Sequence, residues 1–238
     1  MQQDKSIDFD AVVIGAGLTG MYQLYRLRSL GLKVRGFDKN GEVGGTWNMN
    51  RYPGCRLDSE SYTYAYSFLK DLLEEWDWKE EFASQPELNE FFSKAADKMD
   101  IRKDIQFNTG VVNAIFDESR NLWELELDNA DVVTCRFLVT CMGVLSNPIM
   151  PNIKGNELFR GRSFHSYYWP HEKNSFGGKQ VDFAGKRVGV IGTGATGVQI
   201  ITEVAKTAGE LFVFQRHANW CAPLCNTPIE PDRMANIR

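Results

Sequence analysis

Two glycine-rich motifs carry the most specific chemistry in this sequence. They read Gly15-Ala-Gly17-Leu-Thr-Gly20 and Gly192-Thr-Gly194-Ala-Thr-Gly197. The GxGxxG spacing lets the backbone approach a pyrophosphate closely and places that anion at the N-terminus of a helix. We therefore predict two dinucleotide-binding sites. The predicted contact residues are Gly15, Gly17, Gly20, Gly192, Thr193, Gly194, Thr196 and Gly197.

The residues that follow the next strand differ between the two motifs. Asp38 stands at this place in the first unit, and Gln215-Arg216-His217 occupies it in the second. A carboxylate there accepts hydrogen bonds from the ribose hydroxyls, whereas an arginine favours a ribose with a 2′-phosphate. An arginine that merely ends a strand is the alternative. The contrast predicts two different dinucleotides.

Elements of the correct type surround both motifs, and this context makes a weak glycine signal strong. In the first unit we predict a strand at Asp10–Ile14, a helix at Leu18–Leu30 and a strand at Leu32–Phe37. In the second we predict a strand at 186–191, a helix at 198–208 and a strand at 211–214. A turn-rich linker begins at Asn147. We therefore predict a first dinucleotide-binding domain over residues 1–150, and a linker with a second dinucleotide-binding domain over residues 151–238.

The region between the motifs changes from helical to alternating periodicity. We predict a helix at Glu87–Met99, an antiparallel β-meander over 105–116, 122–127 and 132–137, and a further strand at 137–143. Residues 171–185 are typical of an exposed loop, and no element is predicted from His217 onward. The fold class is therefore α/β, with two Rossmann-like dinucleotide-binding units and an inserted meander. The second unit is incomplete, because only two of its strands are clear.

Composition excludes several partners. A net charge of −4 with 24% charged residues gives no electrostatic reason to expect nucleic acid or an anionic membrane. No apolar run approaches the length of a membrane span, and the polar N-terminus predicts no signal peptide. The five cysteines lack CxxC spacing, so we expect a reduced, cytoplasmic, metal-free protein. Cys221 and Cys225 lack the second ligand pair that a zinc site needs.

Two further segments carry fixed spacings. The first runs from Gly44-Gly45-Thr46-Trp47 through Tyr52-Pro53-Gly54 to Asp58, and the second reads Phe159-x-Gly161-xxx-His165-xxx-Trp169-Pro170. By themselves they are consistent with a glycine- and proline-rich loop and with a surface connection that buries a few aromatic rings. Together they resemble the two signatures of the type I Baeyer–Villiger monooxygenases, which are class B flavoprotein monooxygenases.

The resemblance implies that the first site binds FAD and the second NADPH. It implies that the loop of Gly45, Thr46 and Trp47 lies along the flavin and that Asp58 orients a catalytic arginine. It also implies that the backbone of Val111 contacts the adenine side of FAD, and that Phe159, Gly161, His165, Trp169 and Pro170 couple the two domains. Tyr64 is a further cofactor-binding candidate, although Tyr62, Tyr64 and Tyr66 are equally consistent with ordinary packing. Cys141 and Met142 depart from the family's Ala-Thr-Gly pattern at the strand that ends in Gly143.

The reaction implied is the insertion of one oxygen atom of O₂ beside a ketone carbonyl, through a C4a-peroxyflavin, to give an ester or lactone. Family members are longer, and their catalytic arginine lies in the C-terminal half. This chain resembles the N-terminal half alone, so we expect a complementary C-terminal polypeptide or segment as its partner. Two alternatives stay open: an N- or S-oxygenating flavin monooxygenase, and a catalytically silent nucleotide-binding subunit.

Overall fold

The computed structural model describes residues 7–170 and 181–237. The chain divides into two compact units: Met1–Asn48 with Asn89–Asn147, and Met49–Leu88 with Pro148–Arg238. The domain limits at residues 150 and 151 concern ligand binding and stay a prediction. Part of the exposed loop predicted over residues 171–185 lies outside the described residues.

The first unit is built on a six-stranded mixed sheet. Its strands are β1 (Phe9–Ile14), β2 (Val34–Phe37), β3 (Ile105–Gln106), β4 (Val111–Asp117), β5 (Leu122–Leu127) and β6 (Val132–Thr140). They lie in the order β3-β2-β1-β6-β5-β4. Strand β1 lies between β2 and β6 and runs parallel to both, as expected for a strand buried on both faces. Strand β3 is parallel to β2, whereas β5 is antiparallel to β6 and β4 is antiparallel to β5.

The predicted meander differs from the structure at both ends. Residues 105–116 form two strands, because Asn108 adopts a left-handed conformation (φ 52°) that ends the first one. Strand β3 then pairs with β2 rather than with the meander. At the other end, the two strands predicted over 132–143 are one, β6, because it pairs with β5 on one side and with β1 on the other. These two details of the prediction were wrong.

Both helices predicted between the first glycine motif and β3 are present. Helix α1 (Leu18–Ser29) follows the first glycine motif, and α4 (Gln85–Lys98) begins two residues before its predicted start. The short helix α2 (Thr46–Met49) follows β2 in the chain, and the short helix α3 (Lys70–Glu75) belongs to the second unit.

A buried cluster in the first unit joins the strands and consists of Val12, Phe37, Leu125, Leu127 and Cys135. The described residues also form 3₁₀ helices. Arg102–Asp104 lies in the first unit, and Ser61–Thr63, Asn156–Leu158 and Ser166–Tyr168 lie in the second.

The second unit contains a parallel pair of strands, β7 (Arg187–Ile191) and β8 (Glu210–Phe214), joined by helix α5 (Ala195–Val204). Helix α5 begins three residues before the predicted Val198, because Gly194 is its N-cap and the last glycine of the motif lies inside the first turn. The two strands stay largely exposed. Ile191 is 64% exposed and Phe214 is 56% exposed, so their apolar side chains lack a covering layer in the described chain.

The C-terminal segment is ordered, although no element was predicted there. The backbone of 226–229 runs along 79–82: the amide of Glu81 donates to the carbonyl of Thr227 (2.9 Å), and that of Ile229 donates to the carbonyl of Lys79 (3.0 Å). Helix α6 (Pro231–Ile237) follows, and its Arg233 pairs with the buried carboxylate of Glu81. This partner is distant in sequence, and short-range periodicity therefore did not reveal the segment.

Two kinds of feature are absent from residues 7–170 and 181–237. None of the helices there combines the length and apolar character that crossing a bilayer requires. Within the same residues, no three or more His, Cys, Asp or Glu side chains are grouped so that they could hold a metal ion.

Candidate dinucleotide-binding sites

The first glycine motif forms a tight turn from β1 into α1. Gly15 has φ +101°, and a side chain on it would lie 2.4 Å from the carbonyl oxygen of Cys141. Gly17 is the N-cap of α1 in extended conformation, with no side chain capping the helix and no acidic residue in its first turn. A Cβ on Gly20 would lie only 1.8 Å from the Gly15 oxygen. The helix therefore presents an uncapped, positively polarised N-terminus that suits a pyrophosphate.

Asp38 closes this turn from the end of β2. Its Oδ2 accepts a hydrogen bond from the amide of Ala16 (2.6 Å), while Oδ1 accepts from the backbone amide (2.8 Å) and the side-chain nitrogen (3.0 Å) of Asn40. A carboxylate has about four acceptor positions, so these three donors leave capacity for a ribose hydroxyl. Asp38 thus orients the glycine turn, a function that was not predicted, while its contact with a ribose stays a prediction.

The Gly44–Trp47 segment lies against the same turn. Gly45 has φ +53°, and a Cβ on it would lie 2.9 Å from the Cα of Gly17, so the two backbones touch. The amide of Gly44 donates to the carbonyl of Ala16 (3.0 Å). Thr46 begins helix α2, in which Trp47 is buried. The structure therefore brings the predicted flavin loop to the first glycine turn. Val111 begins β4 beside a bulge and packs on the core cluster.

The second glycine motif repeats this geometry. Gly192 has φ +101°, the same value as Gly15, and a Cβ on Gly197 would lie 2.3 Å from the Gly192 oxygen. Gly194 caps α5 in extended conformation, again with no side-chain cap and no acidic residue in the first turn. Around Gly194 the space where a Cβ would point is open within 4 Å. Both motifs therefore form the same turn, with an uncapped helix N-terminus of the kind that suits an anion.

The two turns differ in the charge that follows the second strand. Ile14 pairs with Phe37 in the first unit and Ile191 pairs with Phe214 in the second, so Gln215 is the counterpart of Asp38. Its Oε1 lies 3.4 Å from the Thr193 hydroxyl. Arg216 is the next residue, is exposed, and forms no ion pair with any residue that the structure describes. In the second unit, the neutral amide of Gln215 and the cation of Arg216 thus stand where the first unit has the Asp38 carboxylate.

The loop that leads to Asp58 belongs to the second unit. The carbonyl of Cys55 accepts from the amide of Gln85 (2.8 Å), and the amide of Leu57 donates to the carbonyl of Ala83 (3.0 Å). Asp58 is exposed and has no ion-pair partner within 7–170 and 181–237. Its role beside a catalytic arginine stays a prediction. Tyr64 is half-buried in the turn that follows. Its burial is consistent both with cofactor binding and with ordinary packing of the tyrosine cluster.

The aromatic motif of residues 159–170 is held by its own side chains. The ring of Phe159 covers Gly161, where a Cβ would lie 2.6 Å from the ring. The amide of Tyr167 donates to Nδ1 of His165 (3.1 Å), which makes His165 the cap of a 3₁₀ helix. Trp169, followed by Pro170, packs edge-to-face on Phe164 with ring centroids 5.0 Å apart. The histidine thus has a structural contact, and the domain-coupling role of the motif stays a prediction.

Sequence reasoning missed the side chains that hold the Asp58 loop to α5. Tyr52 of the Tyr-Pro-Gly triplet lies against Gln199 and Thr196 of that helix. Both partners lie more than 140 residues away along the chain. Their spacing in the sequence therefore gives no signal of the contact.

The glycine turns make a steric prediction that needs no ligand. We expect Gly20→Ala to destabilise the protein by about 3 kcal/mol or more, because its Cβ would overlap the Gly15 carbonyl oxygen at 1.8 Å. Gly17→Ala is the matched control, since its Cβ would lie 3.6 Å from the nearest atom and its φ is −74°. Thermal unfolding of both variants without added cofactor measures the difference. Equal unfolding midpoints would contradict the close packing of helix on strand.

Two glycine turns of the same geometry, one in each of two separate sheets and followed by residues of opposite charge, are typical of a two-dinucleotide oxidoreductase. The family described as flavin-binding monooxygenase-like matches residues 10–227, and the chain belongs to it. The chain is 56% identical over 234 residues to a 2-oxo-Δ3-4,5,5-trimethylcyclopentenylacetyl-CoA monooxygenase of Pseudomonas putida, covering 98% of this chain and 43% of that protein. It is 46% identical over 224 residues to phenazine N-monooxygenase PhzNO1 of Lysobacter antibioticus, covering 94% and 40%.

Solved structures agree with these matches. A crystal structure of OTEMO in complex with FAD and NADP matches with a TM-score of 0.92 at 55% identity, covering 98% of this chain and 44% of that one. The predicted resemblance to the Baeyer–Villiger type of flavoprotein monooxygenase and the predicted α/β fold class are both confirmed. The chain spans less than half the length of these relatives.

Proposed function

We propose that this chain is the cofactor-binding part of an FAD- and NADPH-dependent monooxygenase that converts a ketone into an ester or lactone with O₂. One observation carries the proposal: two glycine turns share the same backbone geometry, yet one is followed by Asp38 and the other by Gln215-Arg216. Two identical anion sites with opposite ribose-side charges suit two different dinucleotides. The relatives' binding of FAD and NADP supports this assignment.

The residues of the first turn fit FAD. The α1 N-terminus would receive the pyrophosphate, with Gly15 and Gly17 leaving room for it, and Asp38 would accept from the ribose. The contact between Gly45 and Gly17 places Thr46 and Trp47 beside that turn, where they would lie along the flavin. Val111 would contribute its backbone at the adenine side.

The residues of the second turn fit NADPH. Gly192, Gly194 and Gly197 form the anion site at the start of α5. Arg216 would bind the 2′-phosphate in the charge-assisted, often two-pronged manner that guanidinium groups favour. The neutral Gln215 removes the repulsion that a carboxylate at the Asp38 position would exert on that phosphate.

The chemistry itself belongs to the bound flavin, which when reduced by NADPH activates O₂ for transfer of one oxygen atom. This chain's residues would bind and orient the two cofactors and would neutralise the charge of their phosphates. The exposed Asp58 would hold an arginine in position, and that arginine would come from a segment that this sequence does not contain. We therefore also propose a complementary C-terminal segment, supported by the greater length of the relatives and by the exposed apolar strands β7 and β8.

Product analysis tests the proposed reaction. The flavin-loaded protein, together with the complementary segment, is incubated with a cyclic ketone, NADPH and ¹⁸O₂, and the products are identified by mass spectrometry. We expect a lactone carrying one ¹⁸O atom, formed only with NADPH present. Consumption of NADPH without a lactone from any of a panel of cyclic and linear ketones would contradict the Baeyer–Villiger assignment.

N-oxygenation is the second candidate function, because one of the relatives is a phenazine N-monooxygenase at 46% identity. A phenazine included in the same assay separates the two reactions. An N-oxide without lactone formation would favour this alternative while leaving both cofactor sites as proposed. No oxygenated product from either substrate class, with both cofactors bound, would favour the silent nucleotide-binding subunit.

Asp38 makes a prediction about the flavin alone. We expect Asp38→Ala to weaken FAD binding by roughly 10- to 150-fold, which corresponds to the loss of one charge-assisted hydrogen bond at about 1.5–3 kcal/mol. Asp10→Ala is the matched control, since that carboxylate accepts from the amide of Lys33 (2.8 Å) at the other end of β1. Flavin fluorescence titration measures both variants. A variant that keeps its flavin but shifts its preference toward NADH would show that the two sites are assigned in reverse.

A further inference from the structure

Tyr52 joins the loop that leads to Asp58 to helix α5. Its side chain is only 8% exposed, and its hydroxyl donates to Oε1 of Gln199 at 3.0 Å and lies 3.4 Å from Oγ1 of Thr196. Burial raises the pKa of Tyr52 well above its ordinary value, so the hydroxyl keeps its proton and stays a donor. The contact is therefore a partly buried hydrogen bond between two segments that both carry predicted site residues.

Gln199 makes the contact two-sided. Its amide nitrogen donates to the carbonyl oxygen of Arg56 at 3.1 Å while its oxygen accepts from Tyr52. Gly54 lies between Tyr52 and Arg56 in the chain and has φ +80°. A Cβ on it would lie 2.8 Å from the backbone carbonyl oxygen of Gln199. The loop backbone thus lies directly against the helix. The Gln199 side chain forms hydrogen bonds with the loop on both sides of Gly54.

Helix α5 connects this contact to the second anion site. Its N-cap is Gly194, and Thr196, which lies in its first turn, is a predicted cofactor contact as well as a neighbour of the Tyr52 hydroxyl. The same loop continues through Arg56 to the exposed Asp58. A change in the position of the first turn of α5 would therefore shift the loop, because the Tyr52 hydroxyl lies against Thr196 in that turn.

We propose that Tyr52 and Gln199 are positioning residues that couple occupancy of the second dinucleotide site to the order of the Asp58 loop. This inference rests on the proposed function, because it requires a pyridine dinucleotide at α5. The bound dinucleotide would in this way act on the loop that carries Asp58. A bound pyrophosphate restrains the first turn of α5, and the Tyr52–Gln199 bond passes the restraint to residues 51–58.

Other hydrogen bonds also hold the loop against its neighbours, so substitution of Tyr52 or Gln199 should leave the loop in place. The backbone bonds from Gln85 to Cys55 (2.8 Å) and from Leu57 to Ala83 (3.0 Å) do not involve the tyrosine hydroxyl. Tyr52→Phe keeps the ring and its packing, and Gln199→Leu keeps a side chain of similar size. Tyr62→Phe is the matched control, because Tyr62 lies in the same unit and has no hydroxyl contact with α5 among the described residues.

Hydrogen exchange measured by mass spectrometry tests the coupling. Exchange is followed in the flavin-loaded protein, with its complementary segment, in the absence and presence of saturating NADP⁺. We expect NADP⁺ to slow exchange of peptides covering 51–58 in the wild type and in Tyr62→Phe. Tyr52→Phe and Gln199→Leu should still bind NADP⁺ by calorimetric titration but lose most of this NADP⁺-dependent protection. The double variant should lose no more than either single one, because the two residues act as a pair.

Other outcomes overturn the inference. A purely structural role would speed exchange of 51–58 equally in both states and leave the NADP⁺-dependent difference intact. Wild-type protein that binds NADP⁺ without protecting 51–58 would also overturn it, while the proposed function would stand. Absence of NADP⁺ binding by the wild type in the titration would overturn both, and the titration identifies that case separately.

Discussion

Replacing Arg216 with alanine is expected to raise the KM for NADPH by roughly 10- to 150-fold while leaving the KM for NADH nearly unchanged. The range corresponds to about 1.5–3 kcal/mol for lost charge-assisted hydrogen bonding to the 2′-phosphate, with about 1.4 kcal/mol for each factor of ten. NADH lacks that phosphate, so the same substitution removes nothing from its binding. The selectivity between the two cofactors is therefore the measured quantity.

The surroundings of Arg216 are the reason why we expect a large change in the KM for NADPH. Arg216 is exposed and forms no ion pair within the described part of the chain, so its charge is not already engaged by an acid there. Arg187→Ala is the control, because Arg187 is also an exposed arginine of this unit but pairs with Glu210 (3.0 Å) at the far end of the β7–β8 pair. Steady-state kinetics with both cofactors compares the variants. Equal changes for NADPH and NADH would refute the assignment of Arg216.

The 238-residue chain by itself is expected to form no ester or lactone from any ketone. Strands β7 and β8 expose apolar side chains such as Ile191 and Phe212, and Val144 is 99% exposed beyond the end of β6. Contiguous apolar surface and unpaired strand edges promote association, so the isolated chain should also aggregate or recruit a partner. Asp58 without a cation would in addition discourage negative charge near the flavin.

Size-exclusion chromatography with mass analysis, followed by the ketone assay, measures this prediction. The matched comparison adds the complementary segment as a separate polypeptide or in one continuous chain, and we expect conversion only in its presence. A second comparison carries Asp58→Ala within the complemented protein, which should lose most activity while keeping both cofactors. A folded monomer of the chain alone that binds FAD and NADPH and converts a ketone would contradict the proposal.

Local features were predictable from the sequence. The glycine turns were found because positive φ angles and close helix–strand approach require glycine at set spacings, and Gly15 and Gly192 both have φ +101°. The positions of Asp38 and Arg216 after β2 and β8 were predictable because they follow from counting along each strand, while their cofactor contacts stay predictions. Helices α1 and α4 followed from apolar periodicity, with small differences at their ends.

Contacts between distant segments were decided by the tertiary structure. Strand β6 is continuous because it has a partner on each side, and Ile105 joins β2 because Asn108 turns the chain away from the meander. The ordered tail around Arg233 and the Tyr52–Gln199 bond depend on partners far along the chain. Turn geometry is set by neighbouring residues and can be read from spacing. A partly buried hydrogen bond across 147 residues depends on how the elements pack, which the spacing of residues in the sequence does not encode.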